Sequence, residues 1–358
     1  MLTLGRGNCF GAYMCARNVN VSGPTMKAAA IDRFGPPSVL KLHTLPVPEP
    51  GPNEVLIALQ AAGVGVWDAD IRGGWWPSGR PRFPLVLGTD GAGVVVAKGA
   101  RVRRFDVGER VWAYEFINPK GGFYAEYVAV NAEHVGHVPR RLDLLQAGAA
   151  VVTGLTALQG VDDVLRLRRG QTVLIFGATG AVGTLAVQFA KCRGARVIAT
   201  ATGRKSTRLV LSLGAEAAFD ARADNAVERL RELAPDGLDA VLAFAGGPTL
   251  DRCLDLVKLT GRVAYPNGVE PEPKRGRRRF SVQGYDGEVS QQRLARLERT
   301  ADETRLQVRI AAVYPLAQAA RAHARLERGQ VIGRIVLRIA RGAAGRAGRR
   351  GSASLASD

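Results

Sequence analysis

Cysteine is scarce in this chain: four residues among 358, Cys9, Cys15, Cys192 and Cys253, with no CxxC pair. That excludes a disulfide-stapled fold and suits a reducing, cytoplasmic setting. Cys192 falls inside an apolar helical pattern and is expected to be a buried free thiol. No run of about 18 uncharged apolar residues occurs, so no membrane-spanning helix and no membrane partner is expected. The first 25 residues hold no continuous apolar stretch of signal-peptide type. Acid is in short supply, with 32 Asp and Glu against 50 Lys and Arg, a net charge of +18. Such a balance invites nucleic acid as a partner. The cations are scattered, however, and zinc-finger spacing, RNP aromatics and a KH-type loop are all missing. Nucleic acid is therefore not expected. Two local concentrations remain: KRGRRR (Lys274–Arg279), and Arg341, Arg346, Arg349 and Arg350 in a tail of Gly, Ala and Ser.

A hydrophobic share of 46% and this length allow two ordinary domains with real cores. TMKAAAIDRFG (Thr25–Gly35) reads like a natural protein start at Met26, leaving residues 1–25 as an N-terminal extension. From 26 to 148 the chain is turn-rich and strand-like, with candidates in EVLIALQAAGVG (Glu54–Gly65), LVLGTDGAGVVVAKG (Leu85–Gly99) and the segment after the DVGER turn. From 149 to 288 helices and strands alternate: AAVVTGLTALQGV (Ala149–Val161), TVLIF (Thr172–Phe176), TLAVQFAKCRG (Thr184–Gly194), ARVIATAT (Ala195–Thr202) and onward to GRVAYP (Gly261–Pro266). Such alternation predicts a parallel sheet with right-handed crossovers and helices on both faces. Residues 289–339 contain strand, helix and strand, with Gly329 as the helix stop. His323 on that helix is expected to be a partly buried or surface histidine rather than a catalytic one. Residues 340–358 have the composition of a disordered basic tail.

TVLIF runs straight into FGATGAVG, with glycines at Gly177, Gly180 and Gly183, and then into a helix. Strand, glycine turn and helix form the dinucleotide-binding arrangement. Glycine lets backbone amides approach a pyrophosphate, and the helix N-terminus adds unpaired N–H groups and a favourable dipole. Gly177, Ala178, Thr179, Gly180, Ala181, Val182 and Gly183 are therefore cofactor candidates. The spacing is GxxGxxG rather than the stricter GxGxxG. NAD sites usually carry Asp or Glu at the end of the next strand, for the ribose hydroxyls. Here VIATAT ends without an acid and meets Gly203, Arg204, Lys205 and Arg208. Cations hold a 2′-phosphate where a carboxylate would repel it. NADPH is the expected cofactor.

The motifs MKAAAIDRFG, GVGVWDADIRGG, FPLVLGTDGAGVV, VGERVWAY, GGFYAEYV, TGLTALQGV, VLIFGATGAVG and LERGQVIGRIVL together resemble the medium-chain dehydrogenases/reductases. Within them the chain is similar to the zinc-independent quinone oxidoreductase branch, related to zeta-crystallin, over about Met26 to Ile339. The resemblance implies an α/β fold in which a Rossmann-type nucleotide domain is inserted in a GroES-like β-rich catalytic domain, with the active cleft between them. It also implies a homodimer. Where zinc-dependent relatives carry Cys in GVCxxD, this chain has Gly65 and Val66, and for His-Glu of GHExxG it has Thr89 and Asp90. Thiolate and imidazole are what such a site needs, so no metal is expected.

The chemistry implied is hydride transfer from NADPH to an activated acceptor, a quinone or an α,β-unsaturated carbonyl. Many relatives read GVNxxDxYxRxG; here Asn is Gly65 and Tyr is Asp70, so no catalytic residue is assigned. Asp68 is as consistent with a helix cap as with chemistry. Trp67, Asp70, Trp75, Trp76 and Tyr124 are the substrate-pocket candidates. By position, Thr153 and Thr156, the strand end Phe244, Ala245 and Gly246, and the next strand end Pro266, Asn267 and Gly268 face the nicotinamide side. Two alternatives stand beside this: an enoyl reductase on carrier- or coenzyme-A-linked acyl chains, and an NADPH-binding regulatory or structural protein with little turnover.

Overall fold

The computed structural model describes residues 23–77, 79–274 and 279–339. Most of the expected N-terminal extension with Cys9 and Cys15, four residues of the KRGRRR run and the basic tail from 340 lie outside the described residues.

The first part of the chain builds β1 (Thr25–Ile31), β2 (Lys41–Pro46), β3 (Glu54–Val64), α1 (Val66–Gly73), β4 (Leu85–Val86), β5 (Asp90–Lys98), β6 (Arg110–Tyr114), β7 (Tyr127–Asn131) and β8 (Val135–His137). β1, β2 and β4 form a small antiparallel sheet. β3 is the spine of a seven-stranded sheet, pairing with β5 and β7, and its hydrophobic side chains Val55, Ile57 and Leu59 are fully buried. Gly93 of β5 lies so close to β3 that a Cβ there would meet the Ala58 carbonyl at 2.1 Å. That explains a glycine inside an otherwise apolar strand.

The helix α2 (Leu144–Gln159) follows. Asp143 caps it, accepting from the Gln146 amide at 2.7 Å, while the Gln146 side chain accepts from the Asp143 amide. This reciprocal cap starts the helix five residues before the expected position, so the expected domain boundary at 148/149 falls inside one rigid element. With the π turn Gly160–Val164, the run Leu144–Val164 is long and apolar enough to cross a membrane by composition. That differs from the sequence expectation. It is mostly buried, touching β3, β5 and β6 on one side and the helices Ala181–Cys192 and Gln291–Thr304 on the other.

The nucleotide-type unit then alternates: β9 (Thr172–Phe176), α3 (Ala181–Cys192), β10 (Arg196–Thr200), α4 (Gly203–Ser212), β11 (Ala217–Phe219), α5 (Ala226–Leu233), β12 (Leu238–Ala243), α6 (Pro248–Cys253), β13 (Val257–Pro266) and β14 (Ser281–Tyr285). All six strands are parallel, in the order β11-β10-β9-β12-β13-β14. Numbered within the unit this is 3-2-1-4-5-6, the doubly wound order with its switch point between β9 and β12. Its core is aliphatic, with Leu174, Ile198 and Val241 buried on one face and Val173, Ile175 and Leu242 on the other.

Helix α7 (Gln291–Thr304) returns the chain, burying Leu294 and Leu297 against α2 and α3. β15 (Ile310–Pro315), α8 (Ala319–Glu327) and β16 (Arg334–Arg338) complete the first unit, with β16 antiparallel to β3. Gly329 takes φ +70° after α8, the left-handed conformation a helix stop needs. Cys192 is exposed, not buried: it is the last residue of α3, on its outer face, whereas Cys253 is buried.

A cleft between the two units

A cleft of about 1140 Å³ separates the two units at the carboxyl ends of β9, β12 and β13. One wall is the glycine turn. Gly177 has φ +82°, and its amide donates to Thr200 Oγ1 at 2.8 Å. Gly183 packs so tightly that a Cβ would lie 2.3 Å from the Gly177 carbonyl, while at Gly180 nothing approaches nearer than 3.5 Å. Gly183 is thus required for helix–strand packing, and Gly180 leaves the N-terminus of α3 open. Among the described residues no side chain caps that terminus. Its first amides, on Ala181, Val182 and Gly183, line the cleft and have no partner one turn back within the helix. An anion is what this cradle fits.

Thr153 and Thr156 of α2 also line the cleft, each donating its hydroxyl to a carbonyl of its own helix. So do Phe244 and Ala245 after β12, and Pro266, Asn267 and Gly268 at the end of β13. Asn267 donates its amide nitrogen to Asp286 at 2.9 Å. Three other candidates lie outside the lining. Ala178 is fully buried in the core. The Thr179 carbonyl accepts from Gly333 at 2.9 Å, tying the turn to the approach of β16. Gly246 is pressed against Pro271, where a Cβ would meet its carbonyl oxygen at 1.8 Å.

The basic turn forms the first turn of α4, where Gly203 has φ +76°. Arg204, Lys205 and Arg208 are exposed and form no ion pair among the described residues. They adjoin the glycine turn through Thr200 at the end of β10. A carboxylate unremarked in the sequence also lies there: Asp220, after β11, accepts from Thr202 Oγ1 at 3.0 Å.

On the opposite wall, Trp67, Trp75 and Phe116 stand ring to ring, with centroids 5.6 to 5.7 Å apart. All three line the cleft. Trp67 reaches across to Gly268, where a Cβ would approach its ring at 3.2 Å. Phe116 was invisible as a pocket residue because it lies 49 residues from Trp67 in sequence, brought close by β5–β6 pairing.

Three pocket expectations fail. Asp70 is not in the cleft lining: it faces an open groove with Arg72 and Glu327 that adjoins the cleft at Val66, Trp75 and Leu326. Trp76 turns back onto the core of the first unit, so the two adjacent rings of the WW pair part company. Tyr124 is fully buried. Its hydroxyl donates to Asp68 Oδ2 at 3.0 Å and lies 3.2 Å from His323 Nε2. Asp68 in turn caps α1 by accepting from the Gly65 amide at 2.8 Å. His323 is likewise fully buried, with Nδ1 3.0 Å from Arg72. Burial pushes the Asp68 carboxyl up to about 7 and the His323 imidazole down to about 3, with Arg72 adding to the latter.

One buried cation of the cleft carries no mark in the sequence. Arg334, at the start of β16, donates from Nη2 to Asp90 Oδ1 at 2.8 Å. Asp90 is wholly buried and Arg334 is 8% exposed. Its guanidinium lies under Gly63 and Gly65. Tyr114 lines the cleft nearby, its phenol raised well above its usual range by burial and by the Asp90, Asp286 and Asp68 charges. The residues at the zinc-ligand positions do not fit a metal. Gly65 and Thr89 offer neither thiolate nor imidazole, and Asp90 is taken by a cation. Among the described residues no group of three or more His, Cys, Asp and Glu is placed to hold an ion.

Residues 51–140 match the alcohol dehydrogenase GroES-like domain family, and residues 181–276 match a family described as zinc-binding dehydrogenase. A quinone oxidoreductase of Lama guanicoe is 33% identical over 325 residues, 87% of this chain and 97% of that protein. Among solved structures, a NAD-dependent alcohol dehydrogenase superposes with a TM-score of 0.82 at 32% identity, over 88% of this chain and all of that one. Quinone oxidoreductase of Escherichia coli, solved as a complex with NADPH, gives a TM-score of 0.77 at 25% identity, over 87% and 99% of the two chains. With this coverage and with Gly65, Thr89 and an ion-paired Asp90 at the positions of the zinc ligands, the chain belongs to the zinc-independent medium-chain dehydrogenase/reductase family, in its zeta-crystallin-like quinone oxidoreductase branch.

Proposed function

We propose that this protein is an NADPH-dependent, zinc-free reductase of quinones or α,β-unsaturated carbonyls. The observation that carries the proposal is the pairing of two walls in one cleft: an open helix N-terminus with a glycine turn, facing a cluster of three aromatic rings. NADPH, when bound, supplies a hydride. The chain's own residues do the rest. The α3 amides and Gly177–Gly183 hold the pyrophosphate. Arg204, Lys205 and Arg208 hold the 2′-phosphate by charge-assisted bonds. Thr153, Thr156 and the loops after β12 and β13 meet the nicotinamide end. Trp67, Trp75 and Phe116 give a flat acceptor a stacking surface and keep water from it.

An acceptor already polarised by conjugation needs no Lewis acid, which agrees with a site that lacks metal donors. The relative solved with NADPH supports the cofactor. A homodimer is the assembly the family resemblance implies, and β14, an edge of the six-stranded sheet that among the described residues pairs with β13 alone, supports it. Cys192 and Cys253, both free thiols among the described residues, agree with a cytoplasmic setting. The test is NADPH oxidation with benzoquinone, an alkenal, an enoyl-coenzyme A and no acceptor. Turnover on quinone or alkenal is expected. Turnover confined to enoyl-coenzyme A would move the assignment to acyl reduction. Tight NADPH binding with no turnover on any of them would mean a regulatory protein.

A further inference from the structure

We propose that Arg334 is the catalytic donor to the carbonyl oxygen of the acceptor, receiving the negative charge that hydride transfer places there. The proposal rests on the reductase reading above and names the group that the sequence leaves unassigned. Arg334 is the cation buried most deeply against the cleft, and only part of its bonding capacity is spent. Nη2 is engaged by Asp90 at 2.8 Å. Among the described residues Nε is buried with no hydrogen-bond partner, and Nη1 has no partner either. A buried, unpartnered donor carries a desolvation cost that calls for an explanation, such as a ligand that completes it. Asp90 Oδ2 and Asp68 Oδ1, beside it, are also unpartnered.

The approach is open because residue 65 is glycine. Gly65 lines the cleft, and a Cβ there would sit 3.2 Å from Nη1 and 3.3 Å from Nη2. Its φ of −121° suits any residue, so no turn requires glycine at this point. The missing side chain uncovers the guanidinium. Asp90 fixes the group in place beforehand, so it does not reorganise as charge develops.

In the step itself, hydride brings two electrons and one hydrogen to an acceptor carbon and forms the new C–H bond. The conjugated π pair moves onto the carbonyl oxygen, leaving oxidised NADP⁺ and an oxyanion held by Arg334. A solvent proton then converts the oxyanion to an enol, and tautomerisation completes both cases: the quinone adduct loses a proton from its newly saturated ring carbon as the second carbonyl oxygen gains one, giving the hydroquinone, and the enol of an enone gives the saturated carbonyl.

Three variants test this. Gly65→Ala covers the guanidinium, which yields by a few tenths of an ångström, and removes neither charge of the Arg334–Asp90 pair. Arg334→Met combined with Asp90→Asn removes both charges together, so that no buried carboxylate is orphaned. Tyr114→Phe removes the neighbouring phenol. For each we would measure kcat with benzoquinone, Kd for NADPH by fluorescence, melting temperature, and Kd for a hydroxynaphthoquinone that is ionised at neutral pH and mimics the oxyanion. The first two variants are expected to lower kcat about 100-fold, the usual scale for one oxyanion donor. They should weaken the anionic naphthoquinone at least tenfold, with NADPH affinity and Gly65→Ala melting unchanged. Retention of kcat and anion affinity in either variant would overturn the assignment. So would losses that track NADPH affinity, or the same loss in Tyr114→Phe alone. No NADPH oxidation by the wild type would sink the reductase reading instead, while the anion titration would still report on Arg334.

Discussion

Asp68 and His323 titrate in opposite senses within one buried network, and replacing either should expose a pH dependence that the pair conceals. Asp68 has an ordinary value of 3.8 and is held at about 7 in the folded protein; His323 has an ordinary value of 6.5 and is held at about 3. For Asp68 the folded value lies above the unfolded one. Its stabilising contribution is present at low pH and lost as pH rises toward about 7. For His323 the folded value lies below. Its contribution is present above the ordinary imidazole value and lost as pH falls toward about 3. Between about pH 4.5 and 6 the folded state therefore carries one extra proton on Asp68 and one fewer on His323, and the two slopes cancel.

Asp68→Asn keeps an acceptor for the Gly65 amide and the Tyr124 hydroxyl but removes one titration. Unfolding free energy should then rise with pH more steeply than in the wild type, by about 1.4 kcal/mol per unit, or about 2 kcal/mol over that window. His323→Gln should show the opposite slope. Arg72, Glu327, Asp90 and Arg334, the charged groups around the pair, are present in all three proteins, and Asp90, whose charge helps to raise Asp68, is the one coupled to the substituted carboxyl. Urea unfolding followed by tryptophan fluorescence at several pH values reads this directly. Parallel pH profiles for Asp68→Asn and the wild type would show that Asp68 is ionised in the folded protein, and would refute the reasoning.

Three further predictions concern the cleft. Arg204→Glu with Lys205→Glu should weaken NADPH binding about tenfold or more, at roughly 1.5–3 kcal/mol per charge-assisted bond, and leave NADH unchanged; equal loss for both cofactors would dissociate these residues from the 2′-phosphate. Gly183→Val should destabilise the fold and abolish NADPH binding, because its Cβ would meet the Gly177 carbonyl at 2.3 Å, whereas Gly180→Ala, with 3.5 Å of clearance, should fold normally by circular dichroism. Trp67→Ala should raise KM for benzoquinone about three- to tenfold, the scale of one aromatic contact, at constant NADPH affinity; an unchanged KM would place the acceptor elsewhere.

The nucleotide unit was legible because its signals are local. TVLIF, the glycine turn and the following helix are contiguous, and the structure follows them nearly residue for residue. Helix α7 and strand β14 were not read. Gln291–Thr304 is polar over most of its length, and its few leucines matter only because α2 and α3 lie against them. The pocket expectations split by the same logic. Trp67 and Trp75 reach the cleft, but Trp76, adjacent in sequence, points to a different core, and Tyr124 disappears beneath α8 as a partner of His323. Arg334 was passed over as part of a strand motif. Its partner Asp90 is 244 residues away, and nothing in either segment alone announces a buried ion pair at the base of a cleft.

The central claim is hydride delivery to a conjugated acceptor, and isotope labelling tests it most directly. NADPH carrying deuterium at the transferable position would be incubated with the protein and an α,β-unsaturated ketone, and the product examined by mass spectrometry and NMR. The account predicts one deuterium at the β-carbon of a saturated ketone. Deuterium on the carbonyl carbon of an allylic alcohol, or reduction without label, would contradict it.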